Sequence, residues 1–144
     1  MSSPAIHSKS TIMPTLRYRD AHAAIDWLCQ VFGFERHAVY EGAPGTIGHA
    51  ELTLNGGMIM LGSHKDDEYG RGFKSPGELG NVETRSAYVV VPDAEAVYAR
   101  AQAAGAPVVR PIQDTPYGSR EFTVKDPEGD SWSVGTYDPW AAQT

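Results

Sequence analysis

Asp20-Ala-His-Ala-Ala-Ile-Asp-Trp-Leu-Cys-Gln-Val-Phe-Gly33 and Asp93-Ala-Glu-Ala-Val-Tyr-Ala-Arg-Ala-Gln-Ala-Ala-Gly105 carry the same helix signal twice. Each opens on an Asp, whose carboxylate can accept hydrogen bonds from the free N–H groups of a first turn. Each closes on a Gly, which takes the left-handed conformation that ends a helix without a steric penalty. Between them, apolar residues recur at helical spacing: Ala21, Ala24, Ile25, Leu28 and Phe32 in the first, and Ala94, Val97, Tyr98, Ala101 and Ala104 in the second.

The likeness extends outward from the helices. A strand signal precedes each one, over residues 12–17 and 86–91, and Thr15-Leu-Arg-Tyr-Arg-Asp20 overlays Tyr88-Val-Val-Val-Pro-Asp93 at an offset of 73 residues (15 to 88). Three more strand candidates follow each helix: about 34–41, 47–54 and 58–61, then about 107–112, 119–124 and 131–136. Asn55-Gly56 suits a two-residue hairpin, and Asp126-Pro-Glu-Gly129 places Asp, Pro and Gly as a type I turn requires. The order β-α-β-β-β is therefore written twice, which predicts an α+β fold of two modules, about 11–62 and 85–137. The expected product is a cupped mixed sheet with the helices on its outer face, all in one domain spanning residues 1–144. Residues 63–84, rich in Gly and charge, read as the link between modules and a candidate lid.

Bulk properties narrow the function. A length of 144 residues with 41% hydrophobic and 21% charged residues is enough for a packed core and argues against disorder. A net charge of -6, with basic residues scattered, argues against nucleic acid as a partner. Cys29 stands alone, so neither an intramolecular disulfide nor a cysteine-based zinc site can form. The polar start, residues 1–11, has no apolar stretch, and no run approaches 18 apolar residues. The expectation is a cytoplasmic protein without a membrane segment.

With these modules in place, the chain resembles the vicinal oxygen chelate superfamily, the glyoxalase/bleomycin resistance protein/dioxygenase group. The resemblance is carried by Leu16-Arg-Tyr-Arg-Asp20, Val31-Phe-Gly-Phe34, Gly48-His-Ala-Glu-Leu52, Met60-Leu-Gly62 and Thr115-Pro-Tyr-Gly-Ser-Arg-Glu-Phe122. It continues through Asp126-Pro-Glu-Gly129 to Gly135-Thr-Tyr-Asp-Pro-Trp140. Enzymes of the superfamily commonly hold a divalent metal with His and Glu from the first and last strands of each module. Carried over, the resemblance implies ligand positions near Met13, near Ile59 or Met60, at about Ser86, and at Ser133. None is His, Asp, Glu or Cys, and hydroxyls with thioether or alkyl groups make a poor set for a divalent ion. The expectation is a metal-free, glyoxalase-like subgroup member with no cofactor.

Strand alternation then selects the residues facing a cup. Thr15, Arg17, His49, Glu51, Tyr88, Glu121 and Ser133 fall on that side, while Leu16, Ala50, Leu52, Phe122, Val124, Trp132 and Val134 fall on the helix side. These seven are the predicted ligand-binding residues. His49 and Glu51 point the same way and can contact a common ligand or pass a proton; they equally suit a solvated strand face. Glu121 takes the matching place in the second module. Arg17 suits either an ion pair with one of these carboxylates or a carboxylate on a ligand. Trp132 reads as core, Trp27 lies off its helix stripe where a partner subunit can reach it, and Cys29 reads as an inert core residue. Tyr137 and Trp140 either close a pocket or staple the tail. No role is assigned to His7, His22, His37 or His64.

The leading expectation is a small-molecule-binding protein of the bleomycin-resistance type, one that sequesters an antibiotic or another polyfunctional natural product, and a homodimer, as many relatives of the resemblance are. The alternative is a lyase, isomerase or dioxygenase of the same superfamily, metal-free or with a displaced metal site. The catalytic residues, the ligand's identity and whether the modules pair within or between chains stay open at this level.

Overall fold

The computed structural model describes residues 10–141; His7 lies outside them. The order is β1 (Thr15–Tyr18), α1 (Ala21–Phe32), β2 (Glu35–Glu41), β3 (Ile47–Leu54) and β4 (Gly57–Ser63). After two short 3-10 turns (Gly70–Gly72 and Pro76–Leu79) come β5 (Ala87–Val90), α2 (Ala94–Ala103), β6 (Val108–Asp114), β7 (Arg120–Lys125) and β8 (Ser131–Gly135). Each half is β-α-β-β-β and builds its own four-stranded mixed sheet, in the orders β1-β4-β3-β2 and β5-β8-β7-β6. The parallel pair in each sheet joins its first and last strands, and the other pairs are antiparallel.

The helix signals act as read. Asp20 accepts from the Ala23 N–H at 3.0 Å, and Asp93 from the Ala96 N–H at 3.1 Å. Gly33 ends α1 at φ 88°. α2 stops sooner, at Ala103; Gly105 at φ 75° then lets the Ala106 N–H reach back to the Ala101 carbonyl at 3.0 Å. Asn55 and Gly56 both take positive φ, as a type I′ hairpin demands. β1 begins three residues later than predicted, after Met13-Pro14. Pro14 has no N–H to give the ladder, so only its carbonyl takes part, accepting from Met60 at 3.0 Å.

One core runs through both halves. α1 buries Ala21, Ala24, Ile25, Leu28, Val31 and Phe32, and α2 buries Ala94, Val97 and Ala101. Leu52, Phe122, Val124, Trp132 and Val134 meet them from the sheets. Each large apolar side chain so buried contributes about 1.5–3 kcal/mol. Trp132, 2% exposed, stands 5.4 Å from Phe32 and 6.3 Å from Phe34, so its place in the core is as read. Trp27 packs edge-on against Phe32 of its own helix at 5.2 Å. Cys29 is half-buried beside the core rather than within it, and burial pushes its thiol up from the ordinary value.

Polar contacts clasp the halves together. The Tyr18 hydroxyl donates to Asp126 at 2.6 Å, and the Arg19 and Asp20 N–H groups donate to Glu128 at 2.7 and 2.8 Å. The loop after β4 joins this clasp: the Gly77 N–H donates to the Glu128 carbonyl at 3.3 Å, and Arg19 pairs with Glu78 at 2.8 Å. Arg19 holds the Glu78 carboxyl down to about 2. Through the adjacent residues Gly77 and Glu78, this segment therefore contacts both of the modules it joins.

Asp130 sits beside this clasp, and its carboxyl is pushed up to about 7 by burial first, then by Asp126 and Glu83. Between its ordinary value of 3.8 and about 7, the folded chain holds a proton that the unfolded chain has lost. The stabilisation is therefore complete below the lower value and disappears as pH rises through the upper one. Asp130→Asn is expected to leave stability unchanged near pH 4 and raise it by about 1 kcal/mol at pH 8, a figure reduced for partial solvent screening. Urea unfolding at the two pH values measures it, with the wild type as reference.

Candidate functional site

In the second module the sheet face turned away from the helices is set by register. Tyr88 lies beside Ser133, Ser133 beside Thr123, and Thr123 beside Arg110; one step along, Gly135 lies beside Glu121 and Glu121 beside Gln113. A cavity of about 410 Å³ opens over this face, and Tyr88, Arg110, Tyr117, Glu121, Ser133 and Tyr137 are among the residues that line it. That volume is within the range of small-molecule sites. Three of the seven predicted residues, Tyr88, Glu121 and Ser133, meet here.

Glu121 is 5% exposed, and a buried carboxylate needs donors. The Tyr117 hydroxyl supplies one at 2.8 Å, and Arg110 Nη2 stands 3.9 Å away while its Nε donates to Thr123 Oγ1 at 3.0 Å. The hydrogen bond to Glu121, followed by desolvation, raises the Tyr117 phenol above its ordinary value. Burial, with Glu121 adding to it, raises that of Tyr88. Both phenols stay protonated at neutral pH and can donate. Tyr88 spends its proton on the Tyr137 carbonyl at 2.8 Å, while Tyr137 lies edge-on to Tyr117 at 5.7 Å, so three phenol rings frame one carboxylate. Gly135 makes this convergence possible, because a Cβ there would fall 2.6 Å from both Glu121 Cγ and Tyr88 Oη.

The other four predicted residues, Thr15, Arg17, His49 and Glu51, share the corresponding face of the first module and do not line this cavity. Thr15 lies beside Met60, and Met60 beside Glu51; Arg17 lies beside Gly62. His49 Nε2 is 3.0 Å from Glu51 Oε2, and His37 reaches the other oxygen at 3.9 Å. The His49 ring stacks on Tyr40 at 6.2 Å. Register also refines the internal match. Gly62 and Gly135 correspond across the repeat, and extending the β3–β4 register by one step places His49 beside Gly62, so Glu121 matches His49 and Thr123 matches Glu51. Arg17 pairs with no carboxylate among the described residues; its guanidinium lies against the Tyr69 ring, 5.1 Å from the centroid. The ion-pair expectation for Arg17 is thus replaced by a stacking contact.

Arg110 and Tyr117 were missing from the sequence reading. Arg110 sits on β6, where register irregularities around residues 110–113 defeat simple alternation. Tyr117 lies in the β6–β7 turn. A phenol four residues before Glu121, across the Gly118 turn, was the available signal.

The metal positions implied by the resemblance stay poor in ligands when seen in three dimensions. Met60 faces Thr15, and Ser133 faces Tyr88 and Thr123, with its hydroxyl 2.9 Å from that of Thr123. As placed, no three His, Cys, Asp or Glu side chains among the described residues gather to hold an ion. The side chains at those implied positions do not fit a divalent metal, and no chemistry is routed through one there. Among the described residues no helix is long and apolar enough to cross a membrane.

Comparison with known proteins agrees with this architecture. The chain is 33% identical over 131 residues to the uncharacterized protein Mb0911c of Mycobacterium bovis, covering 91% of this chain and 86% of the relative. TioX from Micromonospora sp. ML1 is similar in structure, with a TM-score of 0.65 and 34% identity over 88% of this chain and 97% of TioX. A glyoxylase/bleomycin resistance protein/dioxygenase domain from Frankia sp. EAN1pec shares the fold at a TM-score of 0.67 and 16% identity, covering 90% of this chain and 98% of that one. The profile of one family matches residues 11–134, nearly the whole repeat. The chain therefore belongs to the Glyoxalase/Bleomycin resistance protein/Dioxygenase superfamily.

Proposed function

We propose that this protein binds a small polyfunctional molecule, of the natural-product or antibiotic kind, without a metal, in the manner of a resistance protein that sequesters its ligand. The observation that carries this reading is the cavity of about 410 Å³ whose floor is a buried carboxylate framed by tyrosines. Phenol rings offer flat apolar contact area at small entropic cost, and Glu121 and Arg110 offer a fixed acceptor and donor to orient a ligand. Membership of a superfamily that includes bleomycin resistance proteins supports the same direction. The poor ligand set at the positions implied by the resemblance, near Met13, near Ile59 or Met60, at about Ser86 and at Ser133, supports binding over metal-dependent catalysis.

We further propose a homodimer, because the two modules expose their polar sheet faces separately, and a cytoplasmic location, in keeping with a single cysteine. A second copy would enclose those faces.

Isothermal titration against a broad panel of aromatic, hydrogen-bonding natural products tests the reading. Saturable binding at one site per chain is expected. Glu121→Gln, which keeps shape but removes charge, is expected to weaken it by about tenfold or more. A panel without any saturable binder overturns the proposal, and sedimentation equilibrium on the same sample reads the oligomeric state.

A further inference from the structure

We propose that the cavity of the second module takes its ligand by a neutral lactam edge, an N–H and a C=O side by side on one planar ring. The inference deepens the small-molecule reading above and rests on it. Among the described residues that line the cavity, only Arg110 and Glu121 carry charge, and their signs are opposite. Arg110 Nη2 stands 3.9 Å from Glu121 Oε1. That is too long for a hydrogen bond, so each group offsets the other's charge without using up its hydrogen-bonding capacity.

The atoms left over define the edge. Glu121 Oε1 accepts from the Tyr117 hydroxyl at 2.8 Å, whereas Oε2 accepts from no donor among the described residues. Every fully buried side-chain N or O atom among those residues has a partner, so Oε2 is not sealed off and reaches the open cavity. Arg110 is held at one corner: its Nε donates to Thr123 Oγ1 at 3.0 Å, and Thr123 Oγ1 lies 2.9 Å from Ser133 Oγ. Its terminal N–H groups stay available on a half-exposed side chain. One acceptor and one fork of donors thus stand next to each other.

Charge decides what fits them. The phenol rings and the carboxylate would attract a ligand cation, but that cation would meet the Arg110 guanidinium at the same place. A ligand carboxylate would meet Glu121. Each brings a like-charge contact that a neutral edge avoids. A lactam N–H gives Oε2 a donor, and the adjoining C=O accepts from Arg110. An open-chain secondary amide is trans and turns these two groups to opposite sides, whereas a ring fixes them on one edge. A flat ring also suits Tyr117 and Tyr137, whose rings stand 80° apart and form a corner for it.

The test is an NMR titration of the full chain with isoindolin-1-one, its N-methyl derivative, benzoate and benzamidinium, following the Arg110 Nε–H and the Glu121 and Ser133 amides. Isoindolin-1-one is expected to shift all three saturably in the millimolar range, with each other probe about tenfold weaker or more. Glu121→Gln is expected to raise benzoate relative to isoindolin-1-one by about tenfold, and Arg110→Gln to raise benzamidinium likewise. Damage to packing alone would weaken all the probes together, and circular dichroism of each variant establishes that the fold is kept. Arg110 is half-exposed, so its variant and the wild-type ranking carry the test even where Glu121→Gln does not fold. Equal binding of the N-methyl compound overturns the lactam edge, as does tighter binding of benzoate or benzamidinium. Silence from every probe, with a natural product saturating at this cavity, overturns the lactam class and leaves the small-molecule reading standing. Silence from the probes and from the wider panel overturns both.

Discussion

Asp126→Ala is expected to lower the unfolding free energy by about 4 kcal/mol, as measured by urea denaturation at pH 7. The Asp126 carboxylate is 3% exposed and accepts four hydrogen bonds: the Tyr18 hydroxyl at 2.6 Å, Trp132 Nε1 at 3.0 Å, and the N–H groups of Glu128 at 3.0 Å and Asp130 at 3.1 Å. Truncation leaves a phenol and an indole N–H, on side chains 0% and 2% exposed, without an acceptor in the core. It also loosens the turn whose Glu128 caps the start of α1. Tyr18→Phe removes one donor and no acceptor, so a smaller loss of about 1 kcal/mol is expected. The pair separates a buried network from simple packing. Asp126→Asn adds a second readout: with the neighbouring charge gone, the Asp130 carboxyl is expected to fall back toward its ordinary value, flattening the stability change between pH 4 and pH 8. Equal stability of Asp126→Ala and wild type would remove the clasp as the link between modules.

The second large effect belongs to Gly135. Its φ is ordinary, so what matters is space. A methyl group there would meet Glu121 Cγ and Tyr88 Oη at 2.6 Å each, and Ser119 Oγ at 3.1 Å. Ser119 and Glu121 are buried, and Tyr88 is tied to the Tyr137 carbonyl, so none yields cheaply. Gly135→Ala is expected to cost about 1–3 kcal/mol from overpacking and to push the cavity floor apart, abolishing ligand binding while the chain still folds. Gly72→Ala is the matched control: a Cβ at 72 meets nothing within 4 Å, so a change within about 0.5 kcal/mol is expected. Thermal denaturation and the titration used for Glu121→Gln report both. A ligand-binding Gly135→Ala protein would show that the Tyr88–Glu121 arrangement is not the site.

Local rules carried the fold a long way. The capping Asp residues, the closing Gly residues and the Asn55-Gly56 turn each act within a few residues, where steric and hydrogen-bonding preferences are strong. Repetition of the same local pattern at a 73-residue offset then settled the module count. Strand alternation placed Phe122, Val124, Trp132 and Val134 inside and Thr15, Arg17, His49 and Glu51 on the opposite face, because the two-residue period of a strand leaves no other choice. Boundaries moved where a local exception intervened, as with Pro14 before β1.

Which side chains share a cavity was decided only by the tertiary structure. Tyr88, Glu121 and Ser133 come from three strands, and they converge because Gly135 leaves room between them. Tyr117 reaches Glu121 through a turn, and β6 irregularities decide where Arg110 sits. Tyr69 finds Arg17 across more than fifty residues. Such neighbours depend on sheet register and on absent side chains rather than on spacing along the chain, so a period or a motif reveals the face a residue occupies but not its partners across it.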